Sequence, residues 1–414
     1  MVSTLGSQAL KVRGNQILNA DGQPVVLRGF GLGGWMNMEN FITGYPANEQ
    51  AQRDAIRGVI GDELYLLFFD RFLEYFFTEA DAAFVRSLGL NLVRLPINYR
   101  HFEDDMRPFE LKEEGFKHLD RAIDECARHG VYTILDLHAF AGYQNQHWHS
   151  DNPTHAALFW EHDYFQDRAV WLWERFAERY KGNAWVAGYN IMNEPADPKG
   201  SRVEPFYRRV MQAVRAIDSD QMLFLEGNRY STEFYMFGDP LPNVVYTNHD
   251  YALAGFMDAG PYPGVSRGEY VDRQALEDKF LKRSEYMLEY DIPMWVGEFG
   301  PIYTGRPETD AMRFRVLRDQ LDRGTTDAGV RHIIGPIESL FEQEFPNYQP
   351  FPFGAQRHIA QLVRHMLLSE PMLDEFAERF RGISAEDIDT LMRSFLFENC
   401  RQRTELAQTL ASYA

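Results

Sequence analysis

Two glutamates draw attention because each closes an apolar run: Glu194 in Ile191-Met192-Asn193-Glu194-Pro195 and Glu298 in Trp295-Val296-Gly297-Glu298-Phe299. Two carboxyl groups facing each other across a cleft can break a glycosidic bond. One stays protonated and donates to the departing oxygen, while the other attacks the anomeric carbon or activates water. At a separation of about 5–5.5 Å the second carboxylate is a nucleophile and configuration is retained. The plain alternative is that each is a rim carboxylate in an ion pair. Asn-Glu-Pro directly after an apolar strand argues against that, although a motif is a hypothesis until its structural context is known.

Such a pair needs a scaffold that brings distant chain segments to one rim. From Glu79 onward, helical runs at 80–88, 114–129, 166–180, 205–218, 273–290 and 310–321 alternate with short strands at 91–95, 131–137, 186–192, 222–225, 244–247 and 293–297. With the run 25–30 this makes seven strands, and 330–334 is the candidate eighth. Strand–helix alternation predicts βαβ units around a parallel sheet, and closure of eight of them gives an α/β (β/α)8 TIM barrel. Glycine stops the first two helices, at Gly89 and Gly130, as expected of residues that take the left-handed turn beyond a helix end. In such a barrel the working groups sit at the C-terminal ends of the strands. Six runs end there in ionisable residues: Arg94, Asp136 with His138, Glu194, Glu226, His249 with Asp250, and Glu298.

The flanks read differently. Residues 9–27 alternate polar and apolar around Asn19-Ala20-Asp21-Gly22, a hairpin signal. Segments 355–368, 371–381, 385–398 and 401–413 are short amphipathic helices without strands between them. The expected organisation is therefore a catalytic barrel over 1–337, preceded within it by a hairpin, and a helical extension over 338–414 whose helices offer a surface for an oligomer.

The chain resembles the family 5 glycoside hydrolases, within the large group of barrels whose catalytic glutamates lie on strands four and seven. The resemblance covers about residues 10–305 and rests on Arg-Gly-Phe-Gly-Leu-Gly-Gly-Trp (28–35), Asn-Leu-Val-Arg-Leu-Pro (91–96), Asp-Leu-His (136–138), Asn-Glu-Pro (193–195), His249-Asp250-Tyr251 and Gly-Glu-Phe-Gly (297–300). It implies Glu194 as acid/base and Glu298 as nucleophile. It implies Asn193 as donor to the sugar 2-hydroxyl, Arg94 as the cation that keeps Glu298 ionised, and His138 and His249 as ligands of the cleaved sugar. Tyr251 would donate to Glu298 and orient it. The family usually places an aromatic, often tryptophan, at the end of strand eight. No tryptophan follows Trp295 and the passage 321–330 is short, so either another residue takes that role or a segment is missing there.

Trp35 and Trp148 are the candidates for stacking on sugar. His147 and His149 beside Trp148 lack a third ligand at regular spacing, so no metal is expected, and this chemistry requires no cofactor. A formal charge of −19 excludes nucleic acid and anionic membranes as natural partners. No run of about 18 apolar residues suggests a membrane span. Met1 to Leu10 lacks a basic-then-apolar leader, giving a cytoplasmic expectation, or a secreted one if a leader was trimmed. Two cysteines, Cys126 and Cys400, exclude a disulfide framework, and Cys126 reads as a buried thiol. The long segment 36–78 and the loop 140–160 would wall off one end of the cleft. The expected activity is thus exo-β-mannosidase action on a small β-linked oligosaccharide. The alternatives are an endo-β-1,4-glucanase or mannanase, an exo-β-glucanase, and an inactive barrel that only binds carbohydrate.

Overall fold

The computed structural model describes residues 10–43, 47–251, 261–266, 268–300, 307–322, 332–333, 380–400 and 404–413. The chain starts with an antiparallel hairpin of β1 (Lys11–Arg13) and β2 (Gln16–Leu18). Its reversal falls at Gly14-Asn15 rather than at the predicted Asn19–Gly22. The later segment is a second turn, where Asn19 Oδ1 accepts from the N–H groups of Asp21 and Gln23. An asparagine side chain that mimics a backbone turn gives the same sequence signal as a hairpin loop.

Eight parallel strands then follow in one sheet: β3 (Gly29–Gly31), β4 (Leu92–Asn98), β5 (Tyr132–Ala139), β6 (Val186–Asn190), β7 (Leu223–Glu226), β8 (Val244–Asp250), β11 (Met294–Phe299) and β12 (His332–Ile333). A small hairpin of β9 (Gly264–Ser266) and β10 (Glu269–Val271) lies between β8 and β11 in the chain. Spatial order equals chain order, with helices between successive strands, which is the (β/α)8 arrangement expected. The eighth strand lies inside the predicted 330–334, its two residues pairing with Met294 and Trp295 of β11. No bond between β12 and β3 occurs among the described residues, so the barrel described is nearly closed. The rim aromatic expected after β12 falls outside the described residues, as does most of the short passage after Leu321.

The barrel interior is layered by the two-residue period of its strands. Leu92, Ile134, Ala187, Phe224, Val245 and Trp295 form an apolar floor, sealed from below by Leu10 and Ile17 of the hairpin segment. Moving two residues along β4, β5, β7 and β8 replaces that floor by Arg94, Asp136, Glu226 and Thr247, all fully buried. A further step brings His138 and His249. The strands are thus apolar at their base and polar at their C-terminal ends because the two ends face different neighbours: packed side chains below, the mouth above.

Within the long segment 36–78 the aromatic-rich run 63–77 predicts a helix, and the helix observed, Glu49–Phe76, is longer, with a break at Gly61, whose φ of 76° is left-handed. Glycine adopts that conformation without a Cβ penalty, so the helix kinks there. Its second half carries Phe68, Phe72 and Phe76: Phe68 meets Phe380 and Phe72 meets Phe395 edge-on, while Phe76 meets Phe395 at a tilt. The helix Ala385–Met392 docks on the same face through buried Ile388 and Met392. The described part of the extension is therefore a patch over this helix, while 355–368 and 371–379 lie outside the described residues. Cys126 is buried as a free thiol, and Cys400 is partly buried with its thiol against the carbonyls of Ser394 and Phe395. Among the described residues no helix is long and apolar enough to cross a membrane.

Candidate active site

The site is organised around Arg94, which is fully buried on β4. One guanidinium nitrogen donates to Glu298 Oε1 at 2.6 Å. The other donates to Asn193 Oδ1 at 2.7 Å and to Glu226 Oε1 at 3.1 Å, and lies 3.1 Å from Asp136 Oδ2. Nε donates to Asn190. Only a planar fork with five fixed donors can serve this many acceptors at once. One buried cation among three carboxylates is costly to desolvate and is tolerated only because the hydrogen bonds are met.

Glu298 reaches this group through an irregularity in its strand. The pairing of β11 with β8 slips between Val296 and Glu298, which sets Glu298 opposite His249. A bulge adds one residue and so re-aims the side chain after it. Without it, strict alternation would turn Glu298 to the other face. The slipped residue is Gly297, where a Cβ would come within 2.7 Å of Thr247 Oγ1 and 2.9 Å of His249 Nε2. Glycine therefore makes room for the imidazole beside the carboxylate. Tyr251 donates its hydroxyl to Glu298 Oε2 at 3.0 Å, so Glu298 is held at one oxygen by Arg94 and at the other by Tyr251.

Glu194 sits just past β6 with φ of 46°, a conformation that costs a non-glycine residue about 1–3 kcal/mol and recurs at functional sites. Its backbone is pinned from both sides. Its N–H donates to Glu226 Oε2 at 2.7 Å and its carbonyl accepts from Asn145 at 3.0 Å. Its carboxylate lies between two imidazoles, with Oε1 2.7 Å from His249 Nδ1 and Oε2 3.0 Å from His149 Nε2. Burial alone would raise this carboxyl, but the hydrogen bonds from His149 and His249 outweigh it and hold Glu194 well below the ordinary carboxylate range. Burial would likewise lower His249, yet Glu226, Glu298 and Glu194 around it hold the imidazole well above its ordinary value. The proton of this pair therefore rests on His249.

Asn193 and His138 form the opposite wall. Asn193 Nδ2 lies 3.0 Å from His138 Nε2, and His138 Nδ1 lies 2.7 Å from Asp136 Oδ2. Burial lowers His138 to about 3, so the ring is neutral, with Nδ1–H donating to Asp136 and Nε2 accepting from Asn193. Burial pushes Asp136 up to about 7, against the opposing pull of Arg94. This chain fixes the Asn193 amide with its oxygen on Arg94.

The expected set Arg94, His138, Asn193, Glu194, His249, Tyr251 and Glu298 is thus brought together. The two tryptophans lie elsewhere. Trp35 is fully buried, packed against Phe77, with its indole N–H on the Leu73 carbonyl. A ring with no exposed face cannot stack on sugar, so Trp35 belongs to the core. Trp148 is half-buried and pairs with His155, and among the described residues no contact joins it to either glutamate. Conversely, Glu226, Asp136 and His149 take part where no role was assigned to them. Glu226 and Asp136 were visible as strand-end carboxylates, but nothing in a linear sequence says that they share one guanidinium.

One carboxylate oxygen of Glu194, one of Glu298 and a His249 nitrogen lie within 4.8 Å of one another. This is the one trio of metal-ligand type among the described residues. An imidazole that carries a proton offers no lone pair to a cation, and Arg94 already neutralises Glu298. With one oxygen of each carboxylate inside 4.8 Å, the pair fits the about 5–5.5 Å spacing of retaining hydrolysis better than the about 6.5–9.5 Å of the inverting mechanism. The arrangement suits direct attack by one carboxylate and proton transfer by the other.

Comparison with known proteins agrees with this chemistry. The family described as Cellulase (glycosyl hydrolase family 5) matches residues 68–322. A protein of Phanerodontia chrysosporium named Beta-xylosidase is 45% identical, with 98% of each chain covered. The aligned span of 469 positions exceeds the 414 residues here, so that relative carries sequence with no counterpart in this chain. Endoglucanase C of Acetivibrio thermocellus is 30% identical over 48% of this chain and 54% of its own. A solved endogalactoceramidase structure has a TM-score of 0.58 at 19% identity, covering 90% of this chain and 84% of that one, a likeness of fold.

Proposed function

The chain belongs to glycosyl hydrolase family 5, and from that premise we propose that it hydrolyses β-xylosides from the chain end with retention of configuration. The observation that carries the mechanism is the approach of Glu194 and Glu298 to within 4.8 Å, with a different partner set on each. Glu298 has Arg94 and Tyr251 on its two oxygens, and these donors fix the direction in which the carboxylate points. It attacks the anomeric carbon. Glu194 delivers a proton to the leaving oxygen and later accepts one from the incoming water. That proton crosses the 2.7 Å hydrogen bond from His249 as the leaving group departs. Asn193, its oxygen engaged by Arg94, has an amide N–H directed to the sugar 2-hydroxyl, a contact that tightens as charge develops.

The exo reading is supported by the way the two long segments are stitched together. Asn37 donates to the His149 carbonyl, and Asn48 and the Gln50 N–H both donate to Asp151 Oδ1. Asn98 donates to Glu49 and to Asp151. These bonds tie the segment 36–78 to the loop 140–160, and Glu39 of the first segment lies 3.4 Å from His138 Nε2, an arrangement that supports a mouth walled at one end. The choice of sugar follows the 45% identical relative named Beta-xylosidase. The mannoside expected from the sequence has no such support.

A panel of aryl β-xyloside, β-mannoside and β-glucoside with polymeric xylan and glucan tests this reading. The expected result is release of free xylose from the xyloside and from oligosaccharide ends. Random-length products from a polymer, or exclusive release of mannose, would overturn it.

The proton shared by Glu194 and His249 gives a further expectation. Activity is lost when the pair gives up its proton. Because His249 holds it well above the ordinary imidazole value of 6.5, the alkaline limb of kcat/KM should fall above that pH. Such limbs belong to the coupled pair, not to one residue. A limb near 4.5, the ordinary glutamate value, would contradict the shared proton.

A further inference from the structure

The loop after β7 contains a run that ordinary residues avoid. Arg229, Tyr230 and Ser231 all have left-handed φ, at 48°, 59° and 59°. None is glycine, so each residue pays a steric cost at its Cβ, and three in succession form one left-handed turn. The surrounding structure holds that turn in place. The Tyr230 N–H donates to the carbonyl of Pro195, next to Glu194. The Ser231 hydroxyl donates to the Thr247 carbonyl at 2.7 Å. Asn228 exchanges two hydrogen bonds with the backbone of Asp197.

The turn places the Tyr230 ring at a defined spot. Its hydroxyl donates to Gln146 Oε1 at 3.0 Å. Its ring centre lies 5.2 Å from that of His147 and 6.4 Å from that of His149. His147 and His149 are themselves nearly parallel, at 17° and 5.7 Å. The three rings begin at Glu194, since His149 Nε2 touches its Oε2. They run outward to half-buried Tyr230 and exposed His147. The side is informative. Oε1 of Glu194 faces His249, which also lies 3.3 Å from Glu298. Oε2 faces away from that group, toward the rings. The nucleophile side holds the sugar being attacked, so the Oε2 side holds what departs.

We propose that Tyr230 and His147 form the leaving-group face of the site, a platform for the pyranose ring of a second sugar released under Glu194. The C–H faces of a pyranose pack on aromatic rings, while its hydroxyls reach water at the open side. Binding energy gained there raises kcat/KM only for substrates that possess such a ring. A terminal sugar linked to another sugar would then be cleaved in preference to one linked to a small group.

The proposal rests on the glycosidase reading above, and the test separates the two. Wild-type protein, Tyr230→Ala and His147→Ala are compared on β-1,4-xylobiose and on β-xylosyl fluoride, whose leaving group is a single atom. The ratio of the two kcat/KM values should fall about ten-fold in Tyr230→Ala and by a smaller factor in His147→Ala. Tyr230→Phe, which keeps the ring and loses the bond to Gln146, should retain most of the ratio. An unchanged ratio in both alanine variants, with both substrates cleaved, overturns this inference and leaves the glycosidase reading standing. Equal losses on the two substrates also overturn it, because the ring would then only brace the Glu194 loop. If the wild-type protein cleaves neither substrate, the xyloside reading and this inference fall together. His147→Ala alters an exposed side chain, so the test survives if Tyr230→Ala does not fold.

Discussion

Glu298→Gln leaves a folded protein whose turnover is reduced by about 100,000-fold, a loss of the size seen when a covalent nucleophile is removed. The amide keeps the shape of the carboxylate, with its oxygen accepting from Arg94 and its NH2 donating to the Tyr251 hydroxyl, but it cannot displace a leaving group from the anomeric carbon. The fold should survive for a specific reason. Arg94 still faces Asp136 and Glu226, each at 3.1 Å, so the buried cation keeps compensating charge. The stability cost that follows when a buried ion loses its last partner is therefore not expected. Activity assays beside a thermal melt decide the matter. A variant that melts normally and keeps more than a small fraction of wild-type activity would remove Glu298 from the nucleophile position.

Glu194→Ala behaves differently, because its role depends on the leaving group. For a sugar or alkyl leaving group, which needs a proton to depart, kcat/KM should fall by about 100- to 10,000-fold. For a dinitrophenyl glycoside, whose phenolate leaves unaided, the first bond cleavage should be nearly preserved. The second step then limits turnover, since no base remains to activate water. Added azide should accelerate it. The azide nitrogen bonds to the anomeric carbon as the bond to the Glu298 oxygen breaks, and the product is the β-glycosyl azide. No dependence on leaving group and no azide product would contradict the acid/base assignment.

The barrel and the pair of glutamates were legible because they rest on short-range signals. Apolar runs separated by glycine-stopped helices report parallel strands directly, and strand ends report the rim. Three things were not legible, each for a physical reason. The bulge at Gly297 depends on the register between β11 and β8, and register is a relation between strands. The sharing of Arg94 among Glu298, Glu226 and Asp136 depends on three strands meeting at one depth. Trp35 looked like a surface aromatic because it follows a glycine-dense loop, yet the helix Glu49–Phe76 folds over it and supplies the Leu73 carbonyl to its N–H. The same helix was only half visible, since Gly58 and Gly61 weaken the helical signal at the point where it kinks.

The left-handed residues were hidden in the same way. Nothing in Asn228-Arg229-Tyr230-Ser231 announces φ values that glycine would ordinarily supply. Glu194 is a similar case, held in its conformation by Glu226 at the end of β7 and Asn145 in the loop after β5. Local preference lost to tertiary hydrogen bonds at both places, and both lie beside the carboxylates.

The account stands or falls on a covalent bond between Glu298 and the sugar. The direct measurement is incubation with a 2,4-dinitrophenyl 2-deoxy-2-fluoro-β-xyloside, whose fluorine slows breakdown of the intermediate, followed by intact mass and peptide mapping. The predicted result is one added fluoroxylosyl group per chain, on the peptide that contains Glu298, absent in Glu298→Gln. A label on Glu194 or another residue, or hydrolysis of ordinary substrate with no adduct and inverted product, would contradict it.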